Sequence, residues 1–579
     1  MTTFEVWAPR PGHVRTRIGD DDTEMTHGPG GWWRVDIPDL PDDTEYAFVL
    51  DDDPTAIPDP RSLWQPTGVH GPSRIYDQAG YDWRDGGWTG RQLAGGVIYE
   101  LHVGTFSPEG TFDGAAGRLD HLVELGVDFV ELLPVNAFNG DRNWGYDGVG
   151  WYAVHDPYGG PDGLKRLVDA CHARGLGVIL DVVYNHLGPS GNYLDRFGPY
   201  LTEAANTWGR NVNLDGPDSD PVRRHIIDNA LMWLSDYHID GLRIDAVHAL
   251  ADRRAVHLLE EMATEVDALS AHVGRPLTLI AESDLNDPKL ITPREAGGFG
   301  LAAQWSDDFH HALHTALTGE RQGYYADFGS LQTLATTLRQ AYFHAGTWSS
   351  FRHRIHGRPV DIARTPAWRF LGYLQNHDQI GNRAIGDRIS ATLSDGLVKV
   401  GAALVLTAPF TPMLFMGEEW AASTPWQFFT SHPEPELGST VADGRRAEFA
   451  EHGWAADDVP DPQDQKTFER SRLDWRELDD EVHSGMLDFY TRLLALRRSR
   501  PELSDPRLGR VHVRYDDESR WLVLHRDAIA VACNLSTDRQ PVPIDGTPRE
   551  VLLASTSGFV YRDGIVEIDG ESVAVLALA

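Results

Sequence analysis

Residues 177–186 read GVILDVVYNH. Apolar side chains run from Val178 to Val183, broken only at Asp181, and the run closes on Asn185 and His186. A strand apolar on both faces belongs in a parallel sheet covered on both sides, not in a half-solvated antiparallel one. Seven further runs share this character: VIYELHV (97–103), FVELLPV (129–135), GLRIDA (241–246), LTLIAES (277–283), LAAQW (301–305), FLGYLQNHD (370–378) and TPMLFMGEE (411–419). Amphipathic segments lie between them. One carries Leu164, Leu167, Val168 and Cys171 at i, i+3, i+4, i+7, and another carries Met486, Phe489, Tyr490, Leu493 and Leu494. Eight strand–helix units imply a closed (β/α)8 barrel in an α/β chain, not an open doubly wound sheet.

Outside residues 91–504 the pattern changes. Residues 1–90 hold short alternating runs (FEVWAP, HVRTRIG, GWWRVDIP, EYAFVLDD) between Gly-, Pro- and Asp-rich breaks, which predicts an N-terminal β-sandwich. Residues 505–579 return to β runs (VHVRYD, WLVLHRD, IAVACNLS, REVLLAST, SVAVLALA), which predicts a C-terminal β-sandwich. The connection after GVILDVVYNH is long for a βα loop, so residues 187–219 read as a small insert on the barrel's functional face.

A net charge of −36 opposes binding to nucleic acid or an anionic membrane, both of which demand a basic surface; a neutral substrate fits. Two cysteines, Cys171 and Cys533, rule out a disulfide scaffold and read as buried thiols. No apolar run reaches membrane-span length, and MTTFEVWAPR has neither the charged nor the apolar region of a secretory signal. The expectation is a cytoplasmic enzyme.

Polar residues gather at the strand C-termini, which on this barrel form the active-site face. Asn185 and His186, Arg243 and Asp245, Glu282, and His377 and Asp378 all fall there. Any one of these acids alone reads as a turn or cap residue, and Arg243–Asp245 alone as a structural ion pair; four motifs converging on one rim are harder to explain away. Cleavage of a glycosidic bond needs one carboxylic acid to protonate the leaving oxygen and one carboxylate to attack or activate water. Asp245 and Glu282 end adjacent strands. Arg243 shares Asp245's side of its strand and holds it ionised, while the apolar run before Glu282 raises that residue's pKa. Asp378 beside His377 is placed to anchor sugar hydroxyls.

DVVYNH, GLRIDAVH, LIAESD and QNHDQIGN resemble, in order, the four short regions shared by the α-amylase family of glycoside hydrolases. The resemblance implies Asp245 as nucleophile, Glu282 as general acid/base and Asp378 as the third, transition-state carboxylate. It implies Tyr146, His186, Arg243 and His377 around the sugar at the cleavage point, and a structural role for Asp181. YELHVGTFSPEGTF with NWGYDGVGWYAV resembles the group of branching enzymes, debranching enzymes and trehalohydrolases within that family, and QNHDQIGNRAIGDR, GFGLAAQWSDDFHHALHTALTGERQGYYADF and TPWQFFTSHPEPELG are similar to the trehalohydrolases. This implies net retention, malto-oligosyltrehalose and malto-oligosaccharides as partners, and no cofactor. Within the family a glucan branching transferase or another α-glucan hydrolase is the alternative; outside catalysis, a glucan-binding module. His248, where many α-amylases have lysine, implies altered contacts to the leaving group. Asp307 and Asp308 end the sixth strand, and Asp308 reads as a substrate contact. His310 and His314 have zinc-like i, i+4 spacing but no HExxH glutamate between them, and a helix N-terminus capped by Asp307 or Asp308 explains the pattern; Asn185 matches a calcium position of some relatives, but the 187–219 insert offers no supporting acidic cluster, so no metal is expected. Seven aromatics (Trp144, Trp151, Trp305, Trp420, Trp426, Phe428, Phe429) are candidates for sugar stacking, about a third of them at the ligand and the rest in the core.

Overall fold

The structure is a computed structural model that describes residues 1–451, 458–562 and 564–579. Residues 452–457, inside the segment read as barrel, lie outside the described residues. Eight parallel strands close into a barrel: β1 (Ile98–Leu101), β2 (Phe129–Leu132), β3 (Gly177–Val182), β4 (Gly241–Ile244), β5 (Thr278–Ala281), β6 (Ala303–Trp305), β7 (Phe370–Gly372) and β8 (Thr411–Phe415). They pair in chain order, and β8 returns to β1 through Met413–Ile98 and Leu414–Tyr99. All eight apolar runs are therefore strands of one barrel. Seven of the eight stop short of the end of their run, where the last residues turn out of the ladder to form the rim; β6 instead reaches Trp305, the end of LAAQW.

The amphipathic segments form helices Gly160–Ala173 and Glu481–Ser499, which bury the predicted stripes. The first helix ends the βα unit that leads into β3. The second packs against helix Asp395–Thr407 and seals the barrel's outer ring.

The N-terminal segment forms two antiparallel sheets. One pairs Thr2–Trp7 with Trp32–Ile37; the other is built on Val14–Ile18 and Glu45–Leu50. The C-terminal segment forms a five-stranded sheet (Val511–Asp516, Trp521–Arg526, Ile529–Asn534, Ser572–Leu578, Pro548–Ala554) facing a three-stranded one. An apolar cluster that includes Val523, Val542, Val566 and Leu576 fills the space between them. The insert carries a β-hairpin, Leu201–Asn206 with Gly209–Val212, and its Phe197 packs on Phe48 of the N-terminal sandwich. Cys171 and Cys533 are buried free thiols. No described helix is long and apolar enough to cross a membrane.

Candidate active site

The C-terminal rim of the barrel surrounds a cleft of about 500 Å³. Asp245, Glu282 and Asp378 all line it, together with Tyr146, His186 and His248. Arg243 and His377 lie directly beneath, fully buried.

Arg243 organises the floor. Its Nη1 donates to Asp245 Oδ1 at 2.8 Å and to Asp181 Oδ2 at 2.8 Å, and its Nη2 stands 3.9 Å from Glu282 Oε2. The guanidinium lies 4.3 Å from the Trp305 ring centroid. Asp181 and Arg243 are register partners on β3 and β4, so the pairing is fixed by the barrel's stagger. Asn185 Nδ2 donates to Asp245 Oδ2 at 2.7 Å and to the Asp245 carbonyl at 3.0 Å. Both Asp245 carboxylate oxygens are thus held by donors.

Glu282 sits in the opposite environment. Burial, with Arg243 opposing and Asp245, Asp307 and Asp378 adding repulsion, holds its carboxyl well above the usual range. The N–H of Ala246, the residue after Asp245, reaches Glu282 Oε2 at 2.5 Å. Ala246 adopts φ 40°, ψ 52°, a left-handed conformation that costs a residue with a Cβ of order 1 kcal/mol, and it is this turn that aims the N–H at Glu282.

His377 is clamped by Glu100 on β1: Nδ1 lies 2.5 Å from Oε1, and the backbone N–H donates to Oε2 at 3.0 Å. Its Nε2 faces the Tyr146 hydroxyl at 2.8 Å, and that hydroxyl donates to Asp181 Oδ2 at 2.5 Å. A hydroxyl has one proton, so Tyr146 accepts from His377 Nε2–H while Nδ1–H serves Glu100. The imidazole therefore carries two protons. Burial pulls its pKa down, but Glu100 and Asp378 more than offset this and bring it to about 9. The Tyr146 ring lies near-parallel to His377 with centroids 5.3 Å apart. Gly145, at φ 106°, makes the turn that presents Trp144 and Tyr146: a Cβ there would stand 2.2 Å from the Pro134 carbonyl oxygen.

The structure corrects the reading of Asp308. Its Oδ2 accepts from the N–H groups of Phe343 and His344, both at 2.8 Å, and it is buried away from the cleft. Asp307 lines the cleft instead, accepting from the Tyr373 hydroxyl. Both residues begin helix Asp307–Thr318, where neighbours point about 100° apart, so only one can face the rim. Of the seven aromatics, Trp144, Trp305 and Phe428 line the cleft. Trp151, Trp420, Trp426 and Phe429 are core. Trp208, Tyr324 and Phe351, with Arg352 and Asp284, complete the wall and were not anticipated.

The other metal candidates are accounted for by protein partners. His310 bonds the Leu374 carbonyl and the Tyr325 hydroxyl, and His314 bonds Glu320. Among the described residues no group of three or more His, Cys, Asp or Glu is placed to hold a metal.

Residues 72–208 match the family model for the α-amylase catalytic domain, and residues 506–575 match a domain of unknown function, DUF3459. The chain is 56% identical over 582 residues to the malto-oligosyltrehalose trehalohydrolase of Mycobacterium tuberculosis (strain CDC 1551 / Oshkosh), covering 100% of each. It is 57% identical to the enzyme of that name from Arthrobacter ramosus, covering 99% of each. This chain belongs to the malto-oligosyltrehalose trehalohydrolase family. Among solved structures, a candidate α-amylase from Salmonella typhimurium superposes with a TM-score of 0.91 at 38% identity, covering 99% of this chain and 97% of that one. As a trehalohydrolase-family member on an α-amylase-type barrel, the chain is a glycoside hydrolase.

Proposed function

We propose that the chain hydrolyses the α-1,4-glucosidic bond next to the terminal trehalose unit of malto-oligosyltrehalose, releasing trehalose and a shorter malto-oligosaccharide with net retention. The observation that carries the chemistry is the contrast between two neighbouring carboxyls around one guanidinium. Asp245 has both oxygens on donors, whereas Glu282 is desolvated and pressed by three other acids. Environments pushed apart in this way divide the nucleophile's task from the acid's. Asp245 attacks the anomeric carbon and Glu282 protonates the departing oxygen; water, deprotonated by Glu282, then releases the glycosyl group. A shared guanidinium suits the roughly 5–5.5 Å carboxyl separation of retaining enzymes rather than the wider inverting pair. Asp378, at the rim, anchors hydroxyls of the ring as it flattens toward the oxocarbenium-like state. Tyr146 offers that ring an aromatic face, and His186 and the His377 imidazolium bound it. We place the oligosaccharide toward Trp144, Phe428 and Arg445 and the leaving trehalose toward His248, Asp284 and Arg352, all of which line the cleft.

The reaction needs no cofactor. We divide the chain into residues 1–90, the barrel 91–504 with its insert 187–219, and 505–579; a separate apolar cluster between the two C-terminal sheets supports the last boundary. Two unpaired buried thiols fit a reducing cytoplasm. Incubation with malto-oligosyltrehalose tests the reading: free trehalose is expected, with no new α-1,6 branches in starch. Glu282→Gln loses the acid and is expected to lower kcat by about 10²–10⁴-fold; a fully active variant contradicts the assignment.

A further inference from the structure

Glu131 is a buried acid that the chemistry above leaves unused. It lies on β2, 1% exposed, in register with Glu100 on β1 and Ile179 on β3. Side chains alternate along a strand, so Glu131 shares one face of β2 with Phe129. By the same spacing Glu100 goes with Ile98 on β1, and Asp181 with Ile179 on β3. Ile98, Phe129 and Ile179 belong, with Ile280 and Met413, to the apolar cluster that plugs the barrel interior. Glu100, Glu131 and Asp181 are therefore three acids of one inward layer, set between that plug and the floor of the cleft.

Two of the three are fully engaged. Both Glu100 oxygens face His377 donors, and both Asp181 oxygens accept from Arg243. Neither Glu131 oxygen has a hydrogen-bond partner among the described residues. Arg243, whose charge acts on Glu131, keeps its own Nε and Nη2 without one. A carboxylate near a guanidinium with unused N–H groups is expected to take them in a charge-assisted pair. These two side chains share the barrel interior and do not pair. The cations of the layer are also matched already: Arg243 by Asp181 and Asp245, and His377 by Glu100. An ionised Glu131 would be an uncompensated buried charge, far costlier than a protonated acid. Burial, with Glu100 and Asp181 repelling and Arg243 and His377 attracting, holds its carboxyl well above the usual range.

A neutral acid suits this place. Arg243 reaches Asp245 through Nη1 and stands 3.9 Å from Glu282 through Nη2. A carboxylate at position 131 would compete for that guanidinium. An apolar side chain would take away the polar group that its unused N–H positions have for a neighbour.

We propose that Glu131 is a positioning residue of this active site, a neutral carboxylic acid that keeps Arg243 in a polar setting without drawing its charge from Asp245 and Glu282. The proposal rests on the assignment of those two carboxyls above. An infrared difference spectrum, the unmodified full-length chain minus Glu131→Gln at pH 7, should show the loss of a carboxylic-acid C=O band; loss of a carboxylate band instead overturns the proposal. With malto-oligosyltrehalose, Glu131→Leu should lower kcat about tenfold with KM little changed, and the polar, uncharged Glu131→Gln should recover most of that loss. Equal kcat in all three chains, or an equal loss in both variants, overturns the positioning role. Urea unfolding needs no leucine variant. The folded parent keeps a proton that its unfolded chain releases above the ordinary 4.5, so Glu131→Gln should gain on the parent as pH rises, and a constant or falling difference overturns the neutral acid. A fully active Glu282→Gln overturns the parent reading and leaves the infrared result standing, so the two failures are distinguishable.

Discussion

Replacing Glu100 by glutamine keeps the shape of the His377 clamp and removes its charge. His377 stands at about 9 rather than the ordinary 6.5. That gap is between two and three tenfold steps, or about 3 kcal/mol in favour of the imidazolium. Both side chains are 1% exposed, so solvent screening does not reduce it. Breaking a buried pair on one side costs about 3–5 kcal/mol, the same range. The folded-state pKa is raised, so the folded chain holds a proton that the unfolded chain releases first. The stabilisation is whole below pH 6.5 and is lost as pH climbs through 9. Urea unfolding of the parent and Glu100→Gln between pH 6 and 10 should show an advantage for the parent of about 3 kcal/mol at pH 6 that shrinks steadily by pH 10. A gap that stays constant with pH, or no gap, refutes the two-proton imidazole inferred from Tyr146 and Glu100. Activity at pH 7 should fall as well, because a neutral His377 has a single N–H and cannot donate both to the side chain at position 100 and to Tyr146.

Asn185→Leu strips two donors from Asp245; a hydrogen bond to a charged group contributes about 1.5–3 kcal/mol, so kcat should fall about 10–150-fold while KM changes little in steady-state assays. Gly381→Ala places a Cβ 1.9 Å from Trp144 Cη2, and overpacking of this kind costs about 1–3 kcal/mol, visible as a lower unfolding midpoint and, because Trp144 lines the cleft, a raised KM. Asp307 is pushed up to about 7, chiefly by burial, so its ionisation destabilises the fold increasingly from pH 3.8 to 7; Asp307→Asn should therefore be more stabilising at pH 8 than at pH 4. The same change removes one of the charges repelling Glu282 and should move the alkaline limb of kcat/KM to lower pH.

The barrel was legible because its strands are buried on both faces, which leaves an unbroken apolar signature ending in polar rim residues. Strands without that signature were not read. The hairpin of LTEAANTWGRNV is solvated on much of its surface, and Gln540–Pro543 and Val560–Arg562 are short, polar or proline-bearing edges of a three-stranded sheet. In the site, Asp245, Glu282 and Asp378 were recoverable because strand ends place them, and Arg243 because period-two geometry puts it beside Asp245. Asp308 was misassigned because side-chain direction at a helix start depends on one residue of phase. Glu100 was passed over, although its signal was present: a charged residue inside a buried apolar strand must have a partner. Its register partner, Glu131, shows the same anomaly one strand along. Trp208, Tyr324, Phe351 and Arg352 come from loops distant in sequence, and no local pattern announces that they meet.

The central claim is a retaining cut beside trehalose by Asp245 and Glu282. Its most direct test is a ¹H NMR time course of malto-oligosyltrehalose with the full-length chain, read before mutarotation. The account predicts free trehalose together with a malto-oligosaccharide whose new reducing end appears first as the α-anomer. A β-anomer appearing first, or shortened products without trehalose, would contradict it.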